Sequence, residues 1–591
     1  MKINSAIYTL LFTGFLMLLI SSCQKEPLLV IPTIKVTTVT NITMTSAVSG
    51  GEITADGGSA ITARGVCWST SMYPKITDSK TNDGTGLGSF TSSITGLVAG
   101  TTYYIRSYSI NVVGTAYSSQ TSFVTIQSQE YNSTKDVVLL KHEFRAAWLT
   151  TVENYDWPPK NTTGEVQRAA LISMIDRLKV LNFNVVLFQI RPSSDAFYQS
   201  TLVPWSMYLT GTQGVDPGFD PLAVAIQACH ERGMELHAWL NPYRIGSTSV
   251  VLAPNHPMIL HPDWCLLGES PSSSGSFNRY LNPGVPAVKN HLLAVVKEII
   301  DNYNVDGIHF DDYFYPDGAK PTTSQPDPYK YFNDKATFEQ YGGGLDINAW
   351  REKNVNDMVR DVNLMIKALN PKVVFGISPQ GVQENSMTVY ADATEWLQNK
   401  WLDYLAPQIY WQIGHPTADF NTVIRYWNTN SNGVPIIPGL AAYKYGDSAY
   451  PFYTLQEIQN EVNLGRTLSS VTGNCWFRVA YFQTNSLGTY IQSTIYPSPS
   501  LLPKLGGFSE PVPASPVTNL NQKTISWNAV SNAKLYAVYE LVRDGNTSNW
   551  NAHSCQISTA LSYTGLSGKN FLVIAINGKE KSGYDKVIYV Q

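Results

Sequence analysis

The sequence predicts an α/β chain with a central (β/α)8 TIM barrel, one β-sandwich before it and another after it. Three observations predict this. Eight apolar, β-rich segments recur between residues 143 and 482, with helical patterns between them. Residues 28–127 are rich in Thr, Ser and Gly, and their apolar residues fall at alternate positions, as in short antiparallel strands. Residues 512–591 return to that short-strand pattern after a proline-rich break, YPSPSLLPKL. At 591 residues the chain is too long for one domain on ordinary size expectations.

The first element is an address. Lys2 opens a run that is almost wholly apolar over residues 6–20, followed by Ser21, Ser22 and Cys23. The run is short for a membrane span and fits a signal peptide over 1–22. Leu-Ile-Ser-Ser-Cys resembles a bacterial lipobox. That resemblance implies cleavage before Cys23, lipidation of Cys23 and a membrane anchor. The expected location is the cell envelope, as an outer-membrane lipoprotein facing the periplasm or the surface. Gln24-Lys25-Glu26 resembles the short charged tag of some surface-displayed Bacteroidetes lipoproteins.

The next element, residues 23–127, reads as the first sandwich; TTYYIRSYSINVVGTAYSS predicts two strands joined by a turn near Asn111–Gly114. Residues 128–140 are a polar linker, and 141–505 hold the barrel. ARGVCWSTS in the first sandwich, and ISWNAV followed by KLYAVYELV in the last, resemble fibronectin type III modules, which usually act as spacers.

The barrel segments are EFRAAWLT, NVVLFQIRP, ELHAWLNPYR, VDGIHFDD, KVVFGISP, YLAPQIYW, PIIPGLAAY and CWFRVAYF. RAALISMIDRLKVLN precedes the second and PLAVAIQACHERG the third. A strand–helix alternation of this length implies a parallel sheet covered on both faces, and eight repeats imply closure. A doubly wound sheet is the alternative, but no GxGxxG follows the first strand and no GxxxxGK[ST] is present.

Composition narrows the chemistry. Net charge is −4 with no long basic run, which argues against nucleic acid as a partner. The six cysteines show no CxxC, and the HERGMELH run lacks zinc-peptidase order, so no metal and no cofactor are expected. The 14 Trp and 34 Tyr supply flat faces of the kind that stack on sugar rings.

In barrels the chemistry sits at the C-terminal strand ends. Here those ends carry Gln189, Arg191 and Asp195; Asn241, Tyr243 and Arg244; His309, Asp311 and Asp312; Ser378 and Gln380; and Gln408, Tyr410 and Trp411. Strand alternation points Ile308 and Phe310 at the covering helices and Gly307, His309 and Asp311 at the axis, with Asp312 at the rim. Asp311 is therefore the first catalytic candidate, with Asp312 and Asp195 next and Glu384 behind them. Arg191 and Asn241 are candidate donors to sugar hydroxyls, His309 and Gln408 candidate contacts, and Tyr410 and Trp411 a candidate stacking wall.

EFRAAWLTTVENYDWP, FQIRPSSDAFYQSTLVPWSMYLTG, VDGIHFDDYFYP and LDYLAPQIYW resemble the glycosyl-hydrolase-like 10 family across residues 141–480. The resemblance implies a (β/α)8 barrel, glycoside hydrolysis and a glycan partner, namely peptidoglycan strands stripped of stem peptides. Another polysaccharide is the runner-up substrate, and binding without turnover the runner-up activity. A monomer is expected. Glycoside hydrolysis normally needs two carboxyl groups, an acid and a nucleophile or base. Asp311 is given the nucleophilic or oxocarbenium-stabilising role. GISPQGV, APQIYWQ and PGLAAY carry no acid, so a substrate acetamido group in place of the enzyme nucleophile stays open.

Overall fold

The computed structural model describes residues 29–43, 45–98, 100–125, 142–269, 277–482, 486–506, 511–543, 550–577, 581–582 and 587–590. Cys23, the leader at 1–22, the Gln24–Glu26 tag and the linker at 128–140 lie outside the described residues. The chain divides into two compact units, Met1–Asp136 and Val137–Gln591.

In the first unit, alternating apolar residues build two antiparallel sheets. One joins Thr33–Val36, Ser46–Ala55 and Gly88–Thr95; the other is built around Ala63–Ser69 and Thr102–Ile110. Their inward residues, among them Ile53, Val66, Phe90 and Ile105, form one core. Thr102–Ile110 pairs with Thr115–Tyr117 across the expected turn, where the Asn111 side chain accepts from the Val113 and Gly114 amides.

The second unit carries the eight segments as parallel strands: β1 (Phe144–Leu149), β2 (Val185–Arg191), β3 (Glu235–Leu240), β4 (Gly307–Phe310), β5 (Val374–Ile377), β6 (Tyr404–Leu405), β7 (Gly439–Leu440) and β8 (Gly473–Phe477). They lie in one sheet in the order β6-β5-β4-β3-β2-β1-β8-β7. Hydrogen bonds from Ile437 N to Leu405 O (2.8 Å) and from Gly439 N to Pro407 O (2.8 Å) join its two ends, so the sheet curls into a barrel.

A helix follows each strand: α1 (Gly164–Val180), α2 (Pro221–Glu231), α3 (Pro286–Asn302), α4 (Ile347–Leu369), α5 (Ala393–Gln398), α6 (Phe420–Thr429), α7 (Leu455–Arg466) and α8 (Ser486–Tyr490). Their starts are written locally. Asp220, Asp346, Asp419 and Thr454 cap α2, α4, α6 and α7 with side-chain oxygens, and Pro opens α2 and α3.

Period-two alternation sorts the strand residues into two cores. Phe144, Ala146, Trp148, Val185, Leu187, Trp239, Val374 and Tyr404 fill the barrel. Ala147, Val186, Phe188, Ile308, Phe310 and Phe375 pack under the helices. Leu502 and Leu505 join the inner core from the chain that follows α8. Glu143, just before β1, bonds that same segment at Leu501 O (2.8 Å), which places the plug at the N-terminal end of the barrel. The open end is the one where the strands finish.

Two further antiparallel sheets complete this unit. One comprises Thr518–Asn521, Thr524–Trp527 and Ser562–Thr564; the other centres on Leu535–Arg543 and Lys569–Ile576. Ile525, Trp527, Val538, Phe571 and Val573 form the core between them.

Candidate active site

β4 places the central residues by alternation. Gly307 is required at the bottom of the strand, because a Cβ there would come within 2.6 Å of the His237 ring. His309, next on the same side, is fully buried. Trp148 Nε1 donates to His309 Nε2 (3.2 Å), and an indole N–H only donates, so Nε2 is the acceptor and Nδ1 carries the hydrogen. Nδ1 then donates to the Tyr404 hydroxyl (2.9 Å), which donates to His237 Nδ1 (3.0 Å). Burial, and then His237, hold His309 well below the usual histidine range, so it is a neutral post beneath the mouth.

Asp311 follows, 3% exposed. Trp239 Nε1 donates to its Oδ2 (2.8 Å), and the Tyr313 amide donates to Oδ1 (3.3 Å). Burial, and next the charge of Asp312, push its carboxyl well above the ordinary range. Asp312 is half-buried at the rim. Gln408 Nε2 donates to its Oδ1 (3.0 Å) and also to Ser378 O (2.9 Å). Burial pushes the Asp312 carboxyl up to about 6, against the opposing pull of Gln408. The charge of Asp312 thus opposes the ionisation of Asp311 at a low-dielectric mouth.

An aromatic wall begins two residues past Gln408. Tyr410 lies 5.9 Å from both Tyr443 and Phe477, and Phe477 lies 6.1 Å from Trp148. Trp411 faces elsewhere: its ring is 6.3 Å from His415 and presses on the backbone at Gly381. Asp312, Gln408 and Tyr410 thus meet at one mouth with Asp311, while Trp411 packs outside that wall.

Asn241 and Gln189 share the inner side, where Gln189 Nε2 donates to Asn241 Oδ1 (2.8 Å). The other end of Gln189 accepts from the Thr151 and Val152 amides (2.9 and 3.0 Å), fixing the loop after β1. Arg191 does not join them. The register slips between Gln189 and Arg191, so Arg191 pairs with Leu240, an outward residue, and its guanidinium turns behind the sheet with no exposure. Asp195 is equally enclosed: its carboxyl accepts from Ser193 N and Gln213 Nε2, both at 3.3 Å, and burial pushes it up. Neither reaches the open mouth, and Glu384 is an exposed loop residue.

Three groups at the mouth escaped sequence reasoning. Trp148 and Trp239 lie on the same inward parity that singles out Asp311, so that signal was present. Glu153 follows β1 as an exposed carboxylate at φ 54°, beside Asn154 at φ 58°. Asn154 Nδ2 pins this bend by donating to Pro158 O (2.9 Å) and Tyr208 O (2.8 Å). Among the described residues no three His, Cys, Asp or Glu side chains gather as a metal site.

A barrel with adjacent carboxyls and aromatic rings at its strand ends has the make-up of a glycoside-hydrolase-like protein. The chain belongs to the Glycosyl hydrolase-like 10 family, whose model matches residues 143–451. It is 35% identical over 405 residues to the glycosyl hydrolase YngK of Bacillus subtilis, covering 63% of this chain and 76% of that one. It is 31% identical over 396 residues to the glycosyl hydrolase DigH of Escherichia coli K12, covering 59% and 86%. Among solved structures, the glycoside hydrolase domain of PgaB from Bordetella bronchiseptica aligns over 60% of this chain and 98% of its own, at 14% identity and a TM-score of 0.42.

Proposed function

We propose that the chain is a glycoside hydrolase of the cell envelope that cuts glycosidic bonds in peptidoglycan strands lacking stem peptides. The observation that carries the catalytic reading is the Asp311–Asp312 pair, which follows β4 at the mouth, with Gln408 joining Asp312 to the strand end that carries Tyr410. The family membership supports hydrolysis, and the lipobox-like run ending at Cys23 supports an anchored outer-membrane lipoprotein. The two flanking pairs of sheets act as fibronectin-type-III-like spacers.

Asp312, at the half-open rim, protonates the leaving oxygen as the glycosidic bond breaks. Asp311, deeper and held by Trp239, stabilises the positive charge that develops on the sugar ring. Burial and the charge of Asp312 oppose its ionisation, so Asp311 acts as the carboxylate in the form where Asp312 carries the proton and that second charge is absent. Tyr410 stacks on the sugar, while Asn241 and Gln408 orient it.

The enclosure of Asp195 favours one variant of this mechanism. With Asp311 and Asp312 both supplied by one strand end, a 2-acetamido group on the sugar supplies the nucleophile, and Asp311 accepts its N–H. The substrate assignment is tested by mass spectrometry of products from the full chain, incubated with intact peptidoglycan and with strands stripped of peptides. Saccharide fragments from the stripped sample alone are expected. Products from another polysaccharide only would transfer the same chemistry to that substrate.

A further inference from the structure

Arg191 is a buried cation without a partner anion. It has no exposure, and its guanidinium cannot be deprotonated. Nη1 donates to the carbonyls of Asn241 (2.7 Å) and Pro242 (3.2 Å), but Nε and Nη2 have no acceptor in the protein. The Tyr243 hydroxyl, fully buried one residue past Pro242, also has no partner. The nearest acid, Asp195, acts on Arg191 through space but commits its oxygens to Ser193 and Gln213.

A buried charge is costly unless an opposite charge and hydrogen bonds compensate it. The unsatisfied atoms here are donors, and a tyrosine hydroxyl can donate as well. Burial, and next Arg191, hold His291 down at about 3; burial and Arg191 also hold His256 down at about 4. Both rings are neutral and supply no counter-charge of their own.

We propose that a small monovalent anion of the chloride class binds between the Arg191 guanidinium and the Tyr243 hydroxyl, behind β2 and β3 and apart from the sugar-binding mouth. Full enclosure excludes a sugar or a phosphoester. The ion would compensate Arg191 and so hold together the turns that follow β2 and β3, from which Asn241 reaches the mouth.

The test is to crystallise the full chain in bromide and map anomalous scattering, with thermal melting in chloride and in gluconate at equal ionic strength. The expected result is an anomalous peak against Arg191 and Tyr243, and a saturable rise in Tm of about 2 °C in chloride. Tyr243→Phe, which keeps the ring, should lower the bromide occupancy and blunt that rise. Ordered water with no anomalous signal at this position, and equal melting in the two salts, would overturn the proposal.

Discussion

Burial pushes the Asp312 carboxyl up to about 6, and the Gln408 hydrogen bond opposes that rise. If Asp312 is the acid, the protonated form is the active one. Turnover is then lost on the alkaline side as pH rises through about 6, and on the acid side as Asp311, which must be ionised, takes up its proton. Gln408 pulls that value down, so Gln408→Leu should move the alkaline limb of kcat/KM to higher pH. An unmoved limb would separate Gln408 from Asp312. The same scale shows what sequence can reveal. Asp311 was legible because alternation is strict along β4. Arg191 was not, because the register slip after Gln189 reverses its side and leaves no mark in the residue types. Asp195 read as an acid near a strand end, but the groups that enclose it, Ser206 and Gln213, come from later in the loop.

At the scale of elements, the strands and long helices were legible from their periods, because a barrel strand covered on both faces is an apolar run. The plug beneath the barrel was not, since it depends on where the chain goes after α8. Glu143 organises that end. It pairs with Arg145 (2.7 Å) and, from α7, with Arg466 (2.8 Å). Burial pushes its carboxyl up, but Arg466 and Arg145 outweigh burial and hold it below the usual range. A lowered folded value means that this stabilisation is present above the unfolded value near 4 and is lost as pH falls. Glu143→Gln should cost about 3 kcal/mol at pH 7 by leaving two arginines uncompensated, and the deficit should shrink on acidification. Equal melting of the two proteins at pH 7 would remove Glu143 from this role.

At the scale of the whole second unit, the terminal sheets pack on the barrel through Leu535. Gly233, in the turn after α2, sits at φ 64°, and a Cβ there would lie 2.3 Å from Leu535 Cδ1. Gly233→Ala should loosen this contact and speed proteolysis within residues 511–517 while leaving turnover at low temperature near normal. A parallel loss of turnover would make the terminal sheets part of the catalytic machinery rather than a spacer. The central claim is that one strand end supplies the chemistry, and the most direct measurement is turnover of Asp311→Asn on peptide-free glycan strands, beside its melting curve. The proposal predicts that turnover is abolished while melting at pH 7 is kept or raised, because a buried carboxyl that resists ionisation has been replaced by a neutral amide. Near-normal turnover in a folded Asp311→Asn protein would contradict it.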